Sequence, residues 1–113
     1  MRLGKIFKLK RNEIAPVAEG RGGCLATDRI TVDGAPVGYM YRDLPIREDD
    51  SGWRFFAGDE DDEYMSDLQR HGVYDVNTIV NCDPDIFPLL DAEVGSRFER
   101  NASGEFRKLR EDE

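Results

Sequence analysis

Short stretches in which apolar and polar residues alternate, separated by turn signals at close intervals, predict several short strands. In the first such stretch Phe7 and Leu9 alternate with lysines, which is typical of a short edge strand. A loop rich in glycine and proline follows and ends near Cys24. The amino-terminal part is therefore predicted to be a strand followed by a loop.

A β-hairpin is predicted around the dipeptide Asp33-Gly34, which favours tight turns. Residues 24–32 are expected to be extended or turning, and residues 37–41 are expected to form the second strand of the hairpin.

In this second strand, Val37, Tyr39 and Tyr41 would share one face of the sheet because side chains alternate along a strand. Gly38 on the other face indicates close packing against another backbone or a β-bulge.

The most aromatic segment, residues 53–56, is predicted to be the strand at the centre of the sheet and to end at Gly58. Asp59 is expected to cap a short helix after it, because carboxylates at a helix start accept hydrogen bonds from its free N–H groups. Three apolar side chains of this segment would face inward: Tyr64, Met65 and Leu68.

Residues 73–80 fit either a short strand or a turn followed by a helical piece that Asn77 caps, and we favour the second interpretation. The pair Asp83-Pro84 predicts the start of another helix, since proline suits the first helical position.

The last predicted element is a hairpin that turns around Ser103-Gly104 and joins residues 95–101 to residues 105–109.

These elements predict an α+β fold: a single small domain with a mainly antiparallel sheet and short helices. A chain of 113 residues suits one domain. We divide it into a basic strand or loop at residues 1–20, the α+β domain at residues 21–109 and a charged tail at residues 110–113.

Charge is distributed unevenly along the chain. Residues 1–11 contain five basic side chains and no acid, so the remaining residues carry 11 basic and 24 acidic side chains, a net charge of −13. Such a surface opposes nucleic-acid binding, which requires lysine and arginine facing the phosphates. It favours a basic protein partner, or it serves solubility alone.

The chain has no apolar run near the roughly 20 residues that cross a bilayer, and we expect neither a membrane segment nor a secretory signal. Cys24 and Cys82 lie far apart, with no spacing typical of a zinc site. We therefore expect a reduced pair of cysteines, no cofactor and a cytoplasmic protein that is a monomer or a weak dimer.

Five consecutive acidic residues, 59–63, invite a metal-binding interpretation, because calcium and magnesium prefer carboxylate oxygens. The spacing does not fit an EF-hand loop, since Tyr64 and Arg70 stand where a glycine and a glutamate are needed. The favoured interpretation is a solvated helix start. Partner binding comes second, and a small metal-dependent hydrolase remains a weaker alternative.

A second acidic run, residues 48–50, precedes Trp53, and the two runs would form one negative face with an aromatic centre if they folded together. A tryptophan in such a strand is more often part of the core, although exposed tryptophans are frequent in binding hot spots. The candidate partner-binding residues are Asp49, Asp50, Trp53, Asp59, Glu60, Asp61 and Asp62.

His71 is the only histidine, and no suitable nucleophile lies near it in the sequence. We interpret His71 as a surface-loop residue and predict that the protein is not an enzyme, with no catalytic and no metal-binding residues.

Four segments in order resemble a bacterial family, the immunity-protein-33-like domain, also called domain of unknown function 2185. They are VGYMYR at residues 37–42, DSGWRF at residues 50–55, Gly58-Asp59-Glu60 with Tyr64, and Asp83-Pro84 through Leu89-Leu90 to Gly95.

This resemblance implies a cytoplasmic protein that binds a cognate bacterial toxin and blocks its active site or substrate cleft. A strongly acidic protein would associate quickly with a basic toxin. The alternative is a housekeeping or regulatory protein-binding module that has no toxin partner.

Overall fold

One six-stranded sheet organises the structure, a computed structural model that describes residues 5–113. Its strands are β1 Gly23–Thr27, β2 Tyr39–Arg42, β3 Asp50–Phe56, β4 His71–Asp75, β5 Arg97–Arg100 and β6 Phe106–Lys108. The α-helices are α1 Asp28–Thr31, α2 Asp62–Ser66 and α3 Val76–Cys82. Short 3-10 helices span Arg11–Glu13, Leu68–Arg70 and Pro84–Leu89.

The strand order is β4-β1-β3-β2-β5-β6, in which β1 and β3 are parallel and every other neighbouring pair is antiparallel. This arrangement confirms the predicted α+β class with a mainly antiparallel sheet. It also confirms that the aromatic strand β3 lies at the centre, between β1 and β2.

The predicted hairpin around Asp33-Gly34 is wrong, because β1 does not pair with β2. Strand β1 runs directly into helix α1, and the amides of Val32 and Asp33 both donate to the carbonyl of Asp28 at 2.9 Å. Gly34 has a positive φ of 79°, as glycines often do just after a helix. The dipeptide therefore ends a helix, and the hairpin partner of β2 is β3.

The predicted amino-terminal edge strand is also wrong: residues 5–10 form no strand. The amide of Lys8 donates to the carbonyl of Thr31 at 2.8 Å, and the ring of Phe7 packs edge-on against that of Tyr74. This segment is thus attached beside α1. The division of the chain at residues 20 and 109 stays a prediction.

The hydrophobic core lies between one face of the sheet and the helices. Trp53 and Phe55 of β3 alternate into this core, where Trp53 is 1% exposed and its indole N–H donates to the carbonyl of Leu90 at 3.2 Å. Their neighbours in the core include Cys24, Ala26, Ile30, Met40, Val76, Ile79, Ile86, Leu90 and Phe98.

Helix α2 starts later than expected. The side chain of Asp61, and not of Asp59, caps it by accepting a hydrogen bond from the amide of Tyr64 at 2.7 Å. Tyr64 is buried as predicted, whereas Met65 and Leu68 are 37% and 84% exposed. The inward orientation predicted for those two side chains is wrong because the helix ends at Ser66 and presents a single buried residue.

Residues 73–80 contain the end of strand β4 and the first part of helix α3, which follows it directly. Each of the two interpretations is therefore correct for part of the segment. The helix cap is Asp75, whose side chain accepts from the amide of Asn77. Asn77 instead accepts hydrogen bonds from the amides of Val17 and Ala18, so it holds the preceding loop against α3.

The two remaining predictions in the carboxyl-terminal half are confirmed. Asp83-Pro84 begins the 3-10 helix Pro84–Leu89, and the Asp83 side chain accepts from the amide of Asp85. Strands β5 and β6 form the last hairpin. Within residues 5–113, no helix is long and apolar enough to cross a membrane.

Candidate functional site

The face of the sheet opposite the core carries a groove of about 890 Å³, here called the aromatic groove. Its floor consists of Tyr39, Tyr41 and Phe56, and carboxylates of Asp59, Glu60 and Glu99 stand at its rim. Four other cavities among residues 5–113 are smaller, at about 230–510 Å³.

The three floor rings form a contiguous aromatic surface. Ring centroids lie 5.9 Å apart for Tyr39 and Tyr41, 5.9 Å for Tyr39 and Phe56, and 5.8 Å for Tyr41 and Phe56, the last pair being stacked. All three residues are half-buried. Aromatic faces left partly open to water are a common basis of protein recognition.

Strand register explains why these rings meet. Tyr39 is paired with Phe56 and Met40 with Phe55, so Met40 and Phe55 point into the core and the flanking aromatics point outward. Alternation along two neighbouring strands thus builds the core and the groove from consecutive residues.

Gly38 permits the close approach of the chain at the end of the groove. A Cβ atom at Gly38 would lie 2.0 Å from the carbonyl oxygen of Ala57, so no other residue fits without moving the backbone. The predicted close packing at Gly38 is confirmed. Val37 is fully buried and precedes β2. The prediction that it shares one face with the two tyrosines is therefore wrong.

Glu60 at the rim is held by the protein itself. Its carboxylate accepts from the hydroxyl of Thr27 at 2.5 Å and from the amides of Ala57 and Gly58 at 2.8 Å. Burial opposes ionisation of this group, but the hydrogen bonds outweigh it and place the pKa of Glu60 below its usual value. Glu60 therefore fixes the turn after β3 and contributes a permanent negative charge.

The other two rim carboxylates are more accessible. The side chains of Asp59 and Glu99 are 68% and 55% exposed. Their ion pairs are loose, at 3.4 Å to Arg29 and 3.8 Å to Arg107. Exposed pairs of this kind contribute little stability, so both carboxylates are free to change partners.

The cation that lines the groove, Arg100, is fully engaged in the fold. Its guanidinium donates to Asp83 and Asp85 and to the carbonyls of Val37 and Gly104. Because two carboxylates compensate this charge, the open part of the groove remains negative.

Tyr41 keeps its phenolic proton at neutral pH. Burial, reinforced by the charge of Asp43, raises the pKa of Tyr41 above its usual value near 10. Its hydroxyl is accordingly a neutral hydrogen-bond donor in the groove.

The structure divides the predicted partner-binding residues between two places. Asp59 and Glu60 line the aromatic groove, and Asp61 and Asp62 follow them at the start of α2. Asp49 and Asp50 lie at the opposite end of β3. A seven-residue strand spans roughly 20 Å, so the two acidic runs do not form the single negative face that was considered.

Two of the predicted residues have structural roles. Trp53 is in the core, which is the interpretation favoured for a tryptophan in such a strand, so it is not part of an exposed binding surface. Asp50 forms an ion pair with Arg54 at 2.8 Å, and both side chains are 6% exposed. The hydrogen bonds from Arg54 lower the pKa of Asp50 far below its usual range. Asp49, in contrast, is 83% exposed.

The acidic run 59–63 does not converge on one point, because Asp59, Glu60 and Asp61 face different partners. Among residues 5–113, no three histidine, cysteine, aspartate or glutamate side chains are placed to hold a metal ion. His71 begins β4, and its Nε2 lies 3.1 Å from the carbonyl oxygen of Met65.

Both cysteines are free, as expected. Burial raises the pKa of the Cys24 and Cys82 thiols, so both are poor nucleophiles at neutral pH.

The floor of the groove is a feature that the sequence pattern does not reveal. Alternation places Tyr39 and Tyr41 on one face of the sheet, but it indicates no function for that face and does not place Phe56 beside them. The pairing of β2 with β3 would have revealed the cluster. The incorrect hairpin around Asp33-Gly34 concealed that pairing.

Comparison with known protein families places the chain in a class. The family model described as the immunity protein Imm33 domain matches residues 24–110, which include every strand and helix that builds the groove. The chain belongs to the Imm33 immunity protein family, as the resemblance indicated. Searches of curated proteins and of solved structures gave no match.

Proposed function

We propose that this protein is a noncatalytic immunity protein that binds a cognate bacterial toxin and occludes its active site. The observation that carries the proposal is membership of the Imm33 family over residues 24–110. An immunity protein acts by binding another protein, and the most prominent surface feature of this chain is an open aromatic groove with acidic edges.

The groove suits protein binding better than chemistry. Its polar groups are carboxylates and phenols, and its arginine is already paired. The described residues that line it include no serine, threonine, cysteine or histidine. Tyrosines on a rigid strand pair offer a large contact area with little loss of side-chain freedom, which favours tight association.

We further propose that the protein acts in the cytoplasm, where toxins with intracellular targets must be stopped. Two free cysteines, one of them buried, suit a reducing compartment. A net charge of −8 favours fast association with a basic toxin domain, since opposite fields raise the encounter rate.

Co-expression tests the proposal. Each toxin-like protein encoded beside the gene is expressed in bacteria with and without this chain, and growth and co-purification are measured. Restored growth together with a stable complex is the expected result. If no neighbouring toxin is neutralised or bound, the immunity function is refuted.

The mode of inhibition needs a separate measurement. The purified toxin is assayed on its substrate at increasing concentrations of this chain. Occlusion of the active site predicts inhibition that a tight substrate analogue relieves competitively. Inhibition insensitive to the analogue would contradict occlusion while leaving neutralisation intact.

A complex that forms without restoring growth would favour the second candidate, a regulatory protein-binding module. The same groove supports that candidate, because aromatic surfaces of this kind serve many binding proteins.

A further inference from the structure

We propose that the aromatic groove receives an arginine side chain from a basic segment of the partner protein. The proposal deepens and rests on the proposed function, because it specifies the chemistry of the partner at the site that would bind it. The one occupant proposed is a positively charged peptide segment.

The groove floor has the chemistry that a guanidinium requires. Planar guanidinium groups stack on aromatic faces, where the negative charge of the ring face attracts the cation. Tyr39, Tyr41 and Phe56 present adjacent rings whose centroids lie 5.8–5.9 Å apart. Among residues 5–113, no guanidinium of the chain itself stacks on any of these three rings.

The fold already uses the same interaction elsewhere. Arg29 and Arg70 stack on the ring of Tyr64 at 5.1 and 4.9 Å from its centroid. Arg100 stacks on Phe106 at 4.2 Å. The aromatic rings of the groove offer the same kind of surface, without a cation from the described chain.

Charge at the rim is complementary to the same ligand. The loosely paired carboxylates of Asp59 and Glu99 line the same groove as the floor rings, and Glu99 lies opposite Tyr39 in the pairing of β5 with β2. A guanidinium stacked on the floor would donate to these carboxylates, because its donors lie in the plane of the group and extend beyond the ring edge. An anionic ligand such as nucleic acid is opposed by the same carboxylates.

The size of the groove also fits a peptide segment. At about 890 Å³, the groove is near the upper end of the roughly 300–1,000 Å³ typical of ligand sites. It therefore accommodates a side chain together with the adjacent backbone of a short segment.

The test uses two peptides as probes, so it does not depend on any toxin. The first is an acetylated hexapeptide with two central arginines flanked by glycines. The second replaces both arginines by citrulline, which keeps the shape and removes the charge. Binding is followed by NMR of the full-length protein through its backbone amides and aromatic C–H groups.

The expected result is saturable shifts of Tyr39, Tyr41 and Phe56 with the arginine peptide. A cation–aromatic contact at a solvent-open site corresponds to a roughly twofold to fivefold weaker affinity for the citrulline peptide. Tyr41→Leu should reduce affinity by a similar factor, whereas Tyr41→Phe should retain it because the ring face remains.

Val73→Ala is the matched control, since Val73 is 65% exposed on β4 and outside the groove. Shifts spread over exposed acids such as Asp49, with no effect of Tyr41→Leu, would show general electrostatic attraction and overturn the proposal. Equal binding of the citrulline peptide would overturn it as well.

Failure of the immunity function and failure of arginine binding in the groove give different results. If the arginine peptide binds the groove but no toxin is neutralised, the immunity function is refuted and the groove assignment stands. If a toxin is neutralised equally well by the wild type and by Tyr39→Leu/Tyr41→Leu, the immunity function stands and the groove assignment is refuted.

Discussion

The two faces of the sheet use similar aromatic residues for different purposes. On the helix-covered face Trp53 and Phe55 are at most 1% exposed and form the centre of the core. On the other face Tyr39, Tyr41 and Phe56 remain half-buried and line a groove. The comparison shows that what separates a structural aromatic from a recognition aromatic here is the strand face, which a shift of one residue reverses.

Removing the core tryptophan should produce the largest effect. Trp53→Ala leaves a cavity beside Phe98 and removes a hydrogen bond to the carbonyl of Leu90, so the free energy of unfolding should fall by about 3–5 kcal/mol. Urea denaturation followed by circular dichroism measures it. Tyr41→Ala on the other face is the comparison, and it should lower the free energy of unfolding by less than half as much. Equal losses for the two variants would contradict the difference between the two faces.

The groove face also contains a buried ion pair, which should be the next most sensitive feature. Arg54→Met leaves the carboxylate of Asp50 without its partner and should lower stability by about 3 kcal/mol. The double variant Asp50→Asn/Arg54→Met should recover part of that loss in urea denaturation. If the double variant is no more stable than the single one, the loss comes from packing and not from the unpaired charge.

Close backbone contact beside the groove predicts an intermediate effect. Gly38→Ala places a Cβ atom against the carbonyl of Ala57 and should destabilise the protein by about 1–3 kcal/mol. Gly23→Ala is the matched control, because the nearest atom to its Cβ would be 3.6 Å away. Thermal unfolding of the two variants should therefore differ clearly, and similar midpoints would argue against a tight junction at Gly38.

The pKa of Asp50 gives a smaller, pH-dependent effect. Because its pKa is lowered in the folded protein, the stabilisation is complete above the ordinary carboxyl pKa of about 4 and is lost as the pH falls below it. Between pH 5 and pH 2.5, wild-type stability should fall more steeply than that of Asp50→Asn, by on the order of 1 kcal/mol. If the pKa of Asp50 had its usual value in the folded protein, urea denaturation at the two pH values would show the same loss of stability for the wild type and for Asp50→Asn.

The smallest effect is expected at an exposed acid outside the groove. Asp62→Asn changes a solvated side chain in the first turn of α2 and should alter stability by less than about 0.5 kcal/mol. It should leave binding of the arginine peptide unchanged, whereas Asp59→Asn should weaken it. Equal effects of Asp59→Asn and Asp62→Asn in the peptide titration would indicate that net charge alone attracts the ligand.

Much of the fold was predictable because local signals agreed with the final structure. Residues 53–56 were correctly placed in the central strand, Asp83-Pro84 correctly started a helix, and the last hairpin was found at its turn. In each case turn chemistry or aromatic content acts within a few residues, so no distant contact is needed to interpret it.

The errors arose where pairing with distant residues decides the outcome. Asp33-Gly34 fits a hairpin turn and also the end of a helix, and only the parallel pairing of β1 with β3 distinguishes the two. The candidate site was uncertain for a similar reason. Asp50 is an exposed acid or half of a buried ion pair depending on how its strand packs, and only the structure shows that Asp50 and Arg54 are buried together. The sequence shows how many acidic side chains the protein has, but it does not show which of them are neutralised by an ion pair within the fold.

The most direct test of the central claim is the affinity of the purified neighbouring toxin for the wild type and for Tyr39→Leu/Tyr41→Leu, measured by titration calorimetry. A hot-spot residue contributes about 2 kcal/mol or more, and neighbouring hot spots are not additive, so we predict binding at least about 30-fold weaker for the double variant. A cooperative urea transition shows that this variant is folded. Undiminished affinity of the folded double variant would contradict a role of the aromatic groove in toxin binding.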